Sequence, residues 1–435
     1  MNKTFALIFI LSSIKLFAQK KIHHYHLPTK HNVVAPVILP GAYQVSEYLP
    51  LLVGKRVGVF ANQTSTIGNT HLIDTLKSLG ITITKVFAPE HGFRGTADAG
   101  AQVDNYIDTL TGIKVVSLYG KKTKPSLVDV HDIDVLLFDV QDVGVRFYTF
   151  ISSLQGFMES AIQYNKPLIV LDRPNPNGFY VDGPVLNKSF SSFVGMQPIP
   201  VVYGMTIGEY ANMILGEGWL DWKYVRKEAD KLTLTKMLGF DESHKNFKLT
   251  IIPCKNYNHN SKYQLPIKPS PNLPDMNSVY WYPSTCFFEG TVISEGRGTD
   301  HPFCTIGHPL LPDTLFAFTP SVREGAKEPK FKNQLCYGWL LPNIAQEIFH
   351  PMNNHLQLNF LLKSYQLFPK KDSFFITPSS GITTDYFFNK LAGNNQLMQQ
   401  IKQGKTDEEI RQSWQPALLN FNLIRKKYLL YQDFN

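Results

Sequence analysis

Between residues 57 and 253 short apolar runs alternate with stretches whose apolar residues recur at helical spacing. This alternation constrains the fold more than any other feature of the chain. "RVGVFAN" reads as a buried strand and "THLIDTLKSLG" as a helix stopped at Gly80. Strand-like "TKVFAPE", "KVVSLYG", "DVLLFDVQ" and "PLIVLDR" follow, with the helical stretch "TFISSLQGFMESAIQYN" between the last two. "PIPVVYGMTIGEYANMILGEGWL" predicts one more strand–helix pair, and "KLTIIPC" a final strand. Short, continuously apolar strands separated by helices imply βαβ units and a largely parallel sheet covered on both faces. The expectation is an α/β domain over residues 45–254.

The composition changes after Cys254. "KNYNHNSKYQLPIKPSPNLPD" is rich in Asn, Pro and Lys and reads as a long connection. "STCFFEGTVISEGRGTDHPF" looks like strands and loops. Near the end, Thr406 and Glu409 form a capping box for "DEEIRQSW", and "LNFNLIRKKYLLYQ" predicts an amphipathic closing helix. Residues 255–435 are therefore expected to form a second, α+β domain. No repeat period is visible.

The first residues, "MNKTFALIFILSSIKLFAQKK", combine Lys3, the apolar run Phe5–Leu11 and a small residue, Ala18. A cationic start, a short apolar core and a small residue at the cut describe a secretory signal peptide over residues 1–18. The run is far shorter than the roughly 20 residues needed to span a bilayer. An exported, soluble protein without a membrane anchor is expected, with the periplasm as its compartment. Export permits disulfides among Cys254, Cys286, Cys304 and Cys336, but sequence does not choose between bridges and buried thiols. The formal charge is +8. Its lysines and arginines are scattered, with no basic stripe interleaved with aromatics, so nucleic acid is not an expected partner.

In an open parallel sheet, ligands bind beyond the carboxyl ends of the strands, and the polar residues cluster there. "VGVF" precedes Asn62, Gln63 and Thr64; "KVFAP" precedes Glu90, His91 and Arg94; "VLLFD" precedes Gln141, Asp142 and Arg146; "LIVL" precedes Asp172, Arg173, Asn175 and Asn177. Gly92 and Gly95 suggest a close approach of backbone to something near Glu90. Each residue also has an ordinary alternative: an ion pair between Glu90 and Arg94, and one between Asp142 and Arg146. No G-x-G-x-x-G, phosphate loop, G-x-S-x-G or H-E-x-x-H is present. What remains is a set of carboxylates, amides and arginines, which suits a polyhydroxylated, acidic substrate. No cofactor or metal is expected.

The strings "FAPEHGFRG", "FDVQDVGVRFYTF", "VLDRPNPNG", "VDGPVL", "FVGMQPIPVVYGMTIGE", "LPIKPSPNLP" and "FEGTVISEGRGTDHPF" resemble the exo-β-N-acetylmuramidase family often called NamZ. The likeness runs from about residue 51 to near the C-terminus. It implies a Rossmann-like catalytic domain, an ancillary C-terminal domain and a cleft between them. It also implies release of N-acetylmuramic acid from the non-reducing end of peptidoglycan fragments.

A glycosidase needs two carboxyl groups. Glu90 is the expected acid, because Phe87, Ala88, Pro89 and Phe93 would supply apolar surroundings. Asp142 or Asp172 would be the second carboxylate, and His91 would orient one of them. Arg94, Arg146 or Arg173 would read the lactyl carboxylate of muramic acid. Asn62, Gln141 and Asn175 are expected to bind substrate, and Tyr148 to stack on the sugar. Glu295 and Arg297, with Glu289, would close the cleft. Two alternatives use the same cleft: a non-catalytic muramyl-glycan-binding protein, and a metal-assisted hydrolase built on His91, Asp98 and Asp142.

Overall fold

The computed structural model describes residues 36–95, 98, 100, 104–220, 247–343 and 354–434, so the expected signal peptide lies outside the described residues. Among them, no helix is long and apolar enough to cross a membrane. Ten helices and twelve strands are used below. The first half holds α1 (Val45–Leu52), β1 (Arg56–Ala61), β2 (Thr66–Ile67), β3 (Thr70–His71), α2 (Leu72–Ser78), β4 (Thr82–Ala88), β5 (Tyr106–Ile107), β6 (Lys114–Ser117), α3 (Leu127–Val130), β7 (Val135–Asp139), α4 (Phe150–Gln163), β8 (Leu168–Leu171), α5 (Ile207–Gly216) and β9 (Leu249–Ile252). The second half holds α6 (Met276–Thr285), β10 (Thr305–His308), β11 (Phe316–Phe318), β12 (Cys336–Leu340), α7 (Asn359–Leu367), α8 (Phe387–Ala392), α9 (Gln396–Lys402) and α10 (Asp407–Arg425).

The main sheet runs β5-β6-β4-β1-β7-β8-β9. All pairs are parallel except β5 with β6. Leaving out that edge strand, the six parallel strands follow the 3-2-1-4-5-6 order of dinucleotide-binding folds. The expected Rossmann-like sheet is therefore present. Side chains alternate between its faces, as pleating requires. Val57, Val59, Ala61, Leu137 and Ile169 enter a core shared with α1 and α2. Phe60, Leu136, Phe138 and Val170 point the other way into a larger core that continues through α4, α5 and the whole second half of the chain.

Every residue of α4 but Gln163 is buried. Its Phe157 ring lies 5.3 Å from Phe60, 5.4 Å from Phe87 and 6.0 Å from Phe138, so one side chain fastens the helix across β1, β4 and β7. All four cysteines are buried free thiols.

Ile38–Asn435 forms one compact unit. Within it, β10, β12 and β11 make a small antiparallel sheet. The last residues return to the main sheet. Tyr431 donates its hydroxyl to Asp172 at 2.5 Å and accepts from the Cys254 amide at 2.8 Å. The Leu430 amide donates to Glu209, and buried Arg425 forks onto Asp433 at 2.7 and 2.8 Å.

Three expectations need correction. "PIPVVYG" is not a sheet strand, because Val202 makes only isolated bridges, to Val145 and Asp182. "STCFFEGTVISEGRGTDHPF" opens on the end of α6 and a short 3₁₀ turn, Cys286–Gly290, and contains no regular strand. The cause is the Asp275 cap, whose side chain accepts from the Ser278 amide at 2.8 Å and starts a helix in an aromatic-rich stretch. The two predicted closing segments are one helix, α10, which ends at Arg425 before the last residues turn back.

Candidate active site

The polar residues at the strand ends divide into two groups. The first seals the sheet. In this topology the crevice between β1 and β7 is the usual ligand position, yet here the chain fills it. Asn62 accepts from the Thr64 amide and hydroxyl at 2.9 and 2.6 Å, and Thr64 accepts from the Gln141 amide at 2.9 Å. Arg173 forks onto Asp139 at 2.5 and 2.9 Å, both buried. The Gln141 side chain donates to the carbonyls of Asp142 and Pro174, and Asn175 to that of Met205.

Deeper still, Arg146 is fully buried and donates to the carbonyls of Pro184, Ile199 and Leu391, each at 2.7 Å. Burial lowers its pKa to about 9. Asp142 accepts from Tyr203 and from the Gly144 amide, both at 2.6 Å, and burial raises its pKa to about 7. Asp172 holds Tyr431, Thr206 and the Gly208 amide, and its pKa rises to about 6, again chiefly through burial.

None of these residues lines the cavity described next. Asn62, Gln141, Asp142, Arg146, Asp172, Arg173 and Asn175 are thus corrected from site residues to scaffold. Arg94 joins them, because its guanidinium forks onto Asp108 at 3.1 and 2.7 Å. That contact also replaces the expected Glu90–Arg94 pair, and Arg146 meets carbonyls rather than Asp142. The neighbour that Gly95 makes room for is Gln63, whose side chain would lie 2.2 Å from an added Cβ.

The second group opens onto a cavity of about 550 Å³, ordinary for a small-molecule site. Glu90 and His91 reach it from the end of β4, Tyr119 from beyond β6, and Phe147, Tyr148 and Thr149 from the turn into α4. His91 sits at φ 66°, a left-handed conformation uncommon for a side-chain-bearing residue, and Gly92 follows at φ 76°. This tight turn brings Glu90 round to the cavity. One Glu90 oxygen accepts from the Gly100 amide at 3.0 Å and the other from Thr149 at 3.1 Å. Phe87 and Phe93 are buried in the two cores instead. The expected apolar surroundings of Glu90 are therefore polar at the carboxylate itself.

The second half supplies the opposite wall. Ser270 and Asn272 come from the connection after β9, Tyr282 from α6, Glu289 from the 3₁₀ turn, and Glu295, Arg297 and Phe303 from the loop before β10. Arg297 bridges Glu289 at 2.7 Å and Glu295 at 3.4 Å. Lys330 pairs with Glu295 at 3.0 Å and donates to the carbonyls of Phe288, Thr291 and Ile293, which fixes the turn. The two carboxyl groups move apart: burial raises the Glu289 pKa, while Lys330 and Arg297 hold that of Glu295 low against its own burial. Tyr119 stands near both Glu90 and Glu289. Its phenol pKa is raised, first by burial and then by the charge and hydrogen bond of Glu90 and the charge of Glu289.

Models of the N-terminal and C-terminal parts of exo-β-N-acetylmuramidase NamZ match residues 57–277 and 280–431. The chain belongs to the NamZ family. It is 38% identical over 407 residues to the peptidoglycan β-N-acetylmuramidase NamZ of Bacillus subtilis (strain 168), covering 88% of this chain and 89% of that protein. Two crystal structures of DUF1343 family proteins from Bacteroides fragilis NCTC 9343 share the fold. One is 39% identical with a TM-score of 0.77, covering 92% of this chain and all of that one. The other is 26% identical with a TM-score of 0.69, covering 91% of this chain and 99% of that one.

Of the residues predicted from sequence, the cavity gathers Glu90, His91, Tyr148, Glu289, Glu295 and Arg297, and Asp98 of the metal-assisted alternative. Tyr148 lines it while packing edge to face against Phe150 and Tyr282, with its hydroxyl tied to the Pro269 carbonyl at 2.9 Å. Sequence reasoning missed Tyr119, Thr149 and Lys330. The first was findable, since "KVVSLYG" ends at the same sheet edge as "KVFAPE". Among the described residues no three His, Cys, Asp or Glu side chains converge as metal ligands, and Asp142 lies apart from His91 and Asp98.

Proposed function

We propose that this chain is an exo-acting glycoside hydrolase that releases N-acetylmuramic acid from the non-reducing end of peptidoglycan fragments, in cell-wall turnover and recycling in the periplasm. The observation that carries the reading is the meeting of carboxylates from both halves of the chain, Glu90 and Glu289, in one aromatic-walled cavity. Glycosidic hydrolysis needs such a pair: one group protonates the leaving oxygen while the other supports attack at C1. The C1–O bond breaks with its electron pair on the leaving oxygen, and the oxygen of water ends on C1.

His91, in its constrained turn, positions Glu90. Arg94, Arg146 and Arg173 are engaged in the scaffold and Lys330 on carbonyls, so Arg297 is the group that reads the lactyl carboxylate. Its Nη1 makes no hydrogen bond within the protein. A guanidinium suits this task because its planar fork can hold one carboxylate on Nη2 and a second on Nη1. Glu295 and Arg297 close the cleft beyond the terminal sugar and stop the glycan from extending past it, giving exo action.

The test is incubation with a muramyl–glucosamine disaccharide, with and without EDTA. The expected result is free N-acetylmuramic acid, undiminished by the chelator, with Glu90→Gln losing about 10²–10⁴-fold in rate. Tight binding without product would make the chain a non-catalytic glycan-binding protein. Chelator-sensitive turnover would make it a metal-assisted hydrolase.

A further inference from the structure

The muramidase reading leaves open which carboxyl group carries the proton. Five line the cavity among the described residues: Glu90, Asp98, Glu289, Glu295 and Glu328. Glu295 is 4% exposed and held by both Lys330 and Arg297. Glu328 is 80% exposed and pairs with Lys332, and Asp98 pairs with Lys327 at 3.6 Å. Glu90 already accepts hydrogen bonds on both oxygens. Glu289 alone combines a position deep in the wall with a partly open side chain, 21% exposed, and its one ion pair, to Arg297, falls on Oε1.

We infer that Glu289 is the proton donor of the reaction and Glu90 its carboxylate partner across the cavity. The inference rests on the muramidase reading and deepens it. Glu289 stands on a 3₁₀ turn pinned by Lys330, with Arg297 clamping Oε1, so its second oxygen is presented in a fixed direction. The proton on that oxygen passes to the glycosidic oxygen as the C1–O bond breaks, and the water consumed in hydrolysis replaces it.

The charged and titratable groups facing Glu289 are Arg297, Glu295, Lys330, Tyr119, Tyr282 and Cys286. Burial outweighs the two cations and raises the Glu289 pKa. A donor raised in this way is protonated below its pKa, so activity that needs it is lost as pH rises through that value.

The test compares two leaving groups. A muramyl–glucosamine disaccharide needs a proton to depart, whereas a 2,4-dinitrophenyl muramide does not. For Glu289→Gln we expect a loss of about 10³-fold on the disaccharide and less than about tenfold on the dinitrophenyl substrate. The alkaline limb of kcat/KM should also disappear. Glu90→Gln should lose rate on both.

Should the glutamine variant melt early, Glu289→Asp keeps an ionisable carboxyl group, withdraws it by one methylene and carries the same comparison. Equal losses on the two substrates, or a leaving-group-dependent loss in Glu90→Gln instead, overturn the assignment while leaving the muramidase reading intact. A wild-type chain that turns over neither substrate removes both.

Discussion

Asp142 shows how a residue can look catalytic and be structural. It follows a strand at the right edge of the sheet, beside an arginine and a glycine, and sequence offers no sign that it faces inward. In the fold it sits behind the cavity wall, with Tyr203 and the Gly144 amide on one oxygen and no hydrogen bond on the other. Its pKa, raised from 3.8 to about 7 by burial, has a consequence for stability. Between those values the folded state binds more protons than the unfolded one, so stability falls as pH rises through that window. At about 1.4 kcal/mol per pH unit the cost reaches about 4 kcal/mol near neutrality. Asp142→Asn should therefore match the wild-type melting temperature near pH 4 and exceed it at pH 7.5. A difference that does not change with pH would refute this account. The same ambiguity hid Arg146 and Asp172. Polar residues after strands were legible as a set, but a buried arginine serving carbonyls and an exposed one awaiting an anion share one letter. Glu90 and His91 were legible because their turn has no packing purpose that the sequence could supply.

Elements were more readable than residues, because periodicity reports the face a segment buries. All six parallel strands, α2, α4 and α5 stand where alternating and helical patterns placed them, and Thr406 with Glu409 does close a capping box at 3.2 and 2.8 Å. The misreadings came where tertiary partners override local pattern. "PIPVVYG" has strand-like composition, but its backbone meets two separate segments by single bridges. Helix α6 is rich in residues that favour strands and was missed for that reason. Helix α4 is the element most exposed to test, since its start carries Tyr148 and Thr149 into the cavity while Phe157 holds its middle against three strands. Phe157→Ala should cost about 3–5 kcal/mol, read from the urea midpoint. A cost below about 1 kcal/mol would mean that α4 is not fixed by this contact.

At the level of the whole molecule, the two halves share one core and one cavity. The last few residues help tie them: Tyr431 on Asp172 and Leu430 on Glu209 reach the first half, while Gln432 holds His259 and Asp433 holds Arg425. Ending the chain at Leu429 removes all four. Buried Arg425 then loses its counter-charge, a change that by itself costs about 3–5 kcal/mol. The truncated protein should show a markedly lower denaturant midpoint than the full chain, and an unchanged midpoint would show that the tail is dispensable. Sequence gave no hint of this closure, because "YLLYQDFN" reads as the fraying end of a helix. The arrangement also governs timing. Asp172 is translated more than 250 positions ahead of the tyrosine that satisfies it, and a nascent polypeptide emerges N-terminus first. The hydroxyl that satisfies Asp172 is therefore among the last groups to be made, and a chain terminated before it carries this buried carboxylate without that partner.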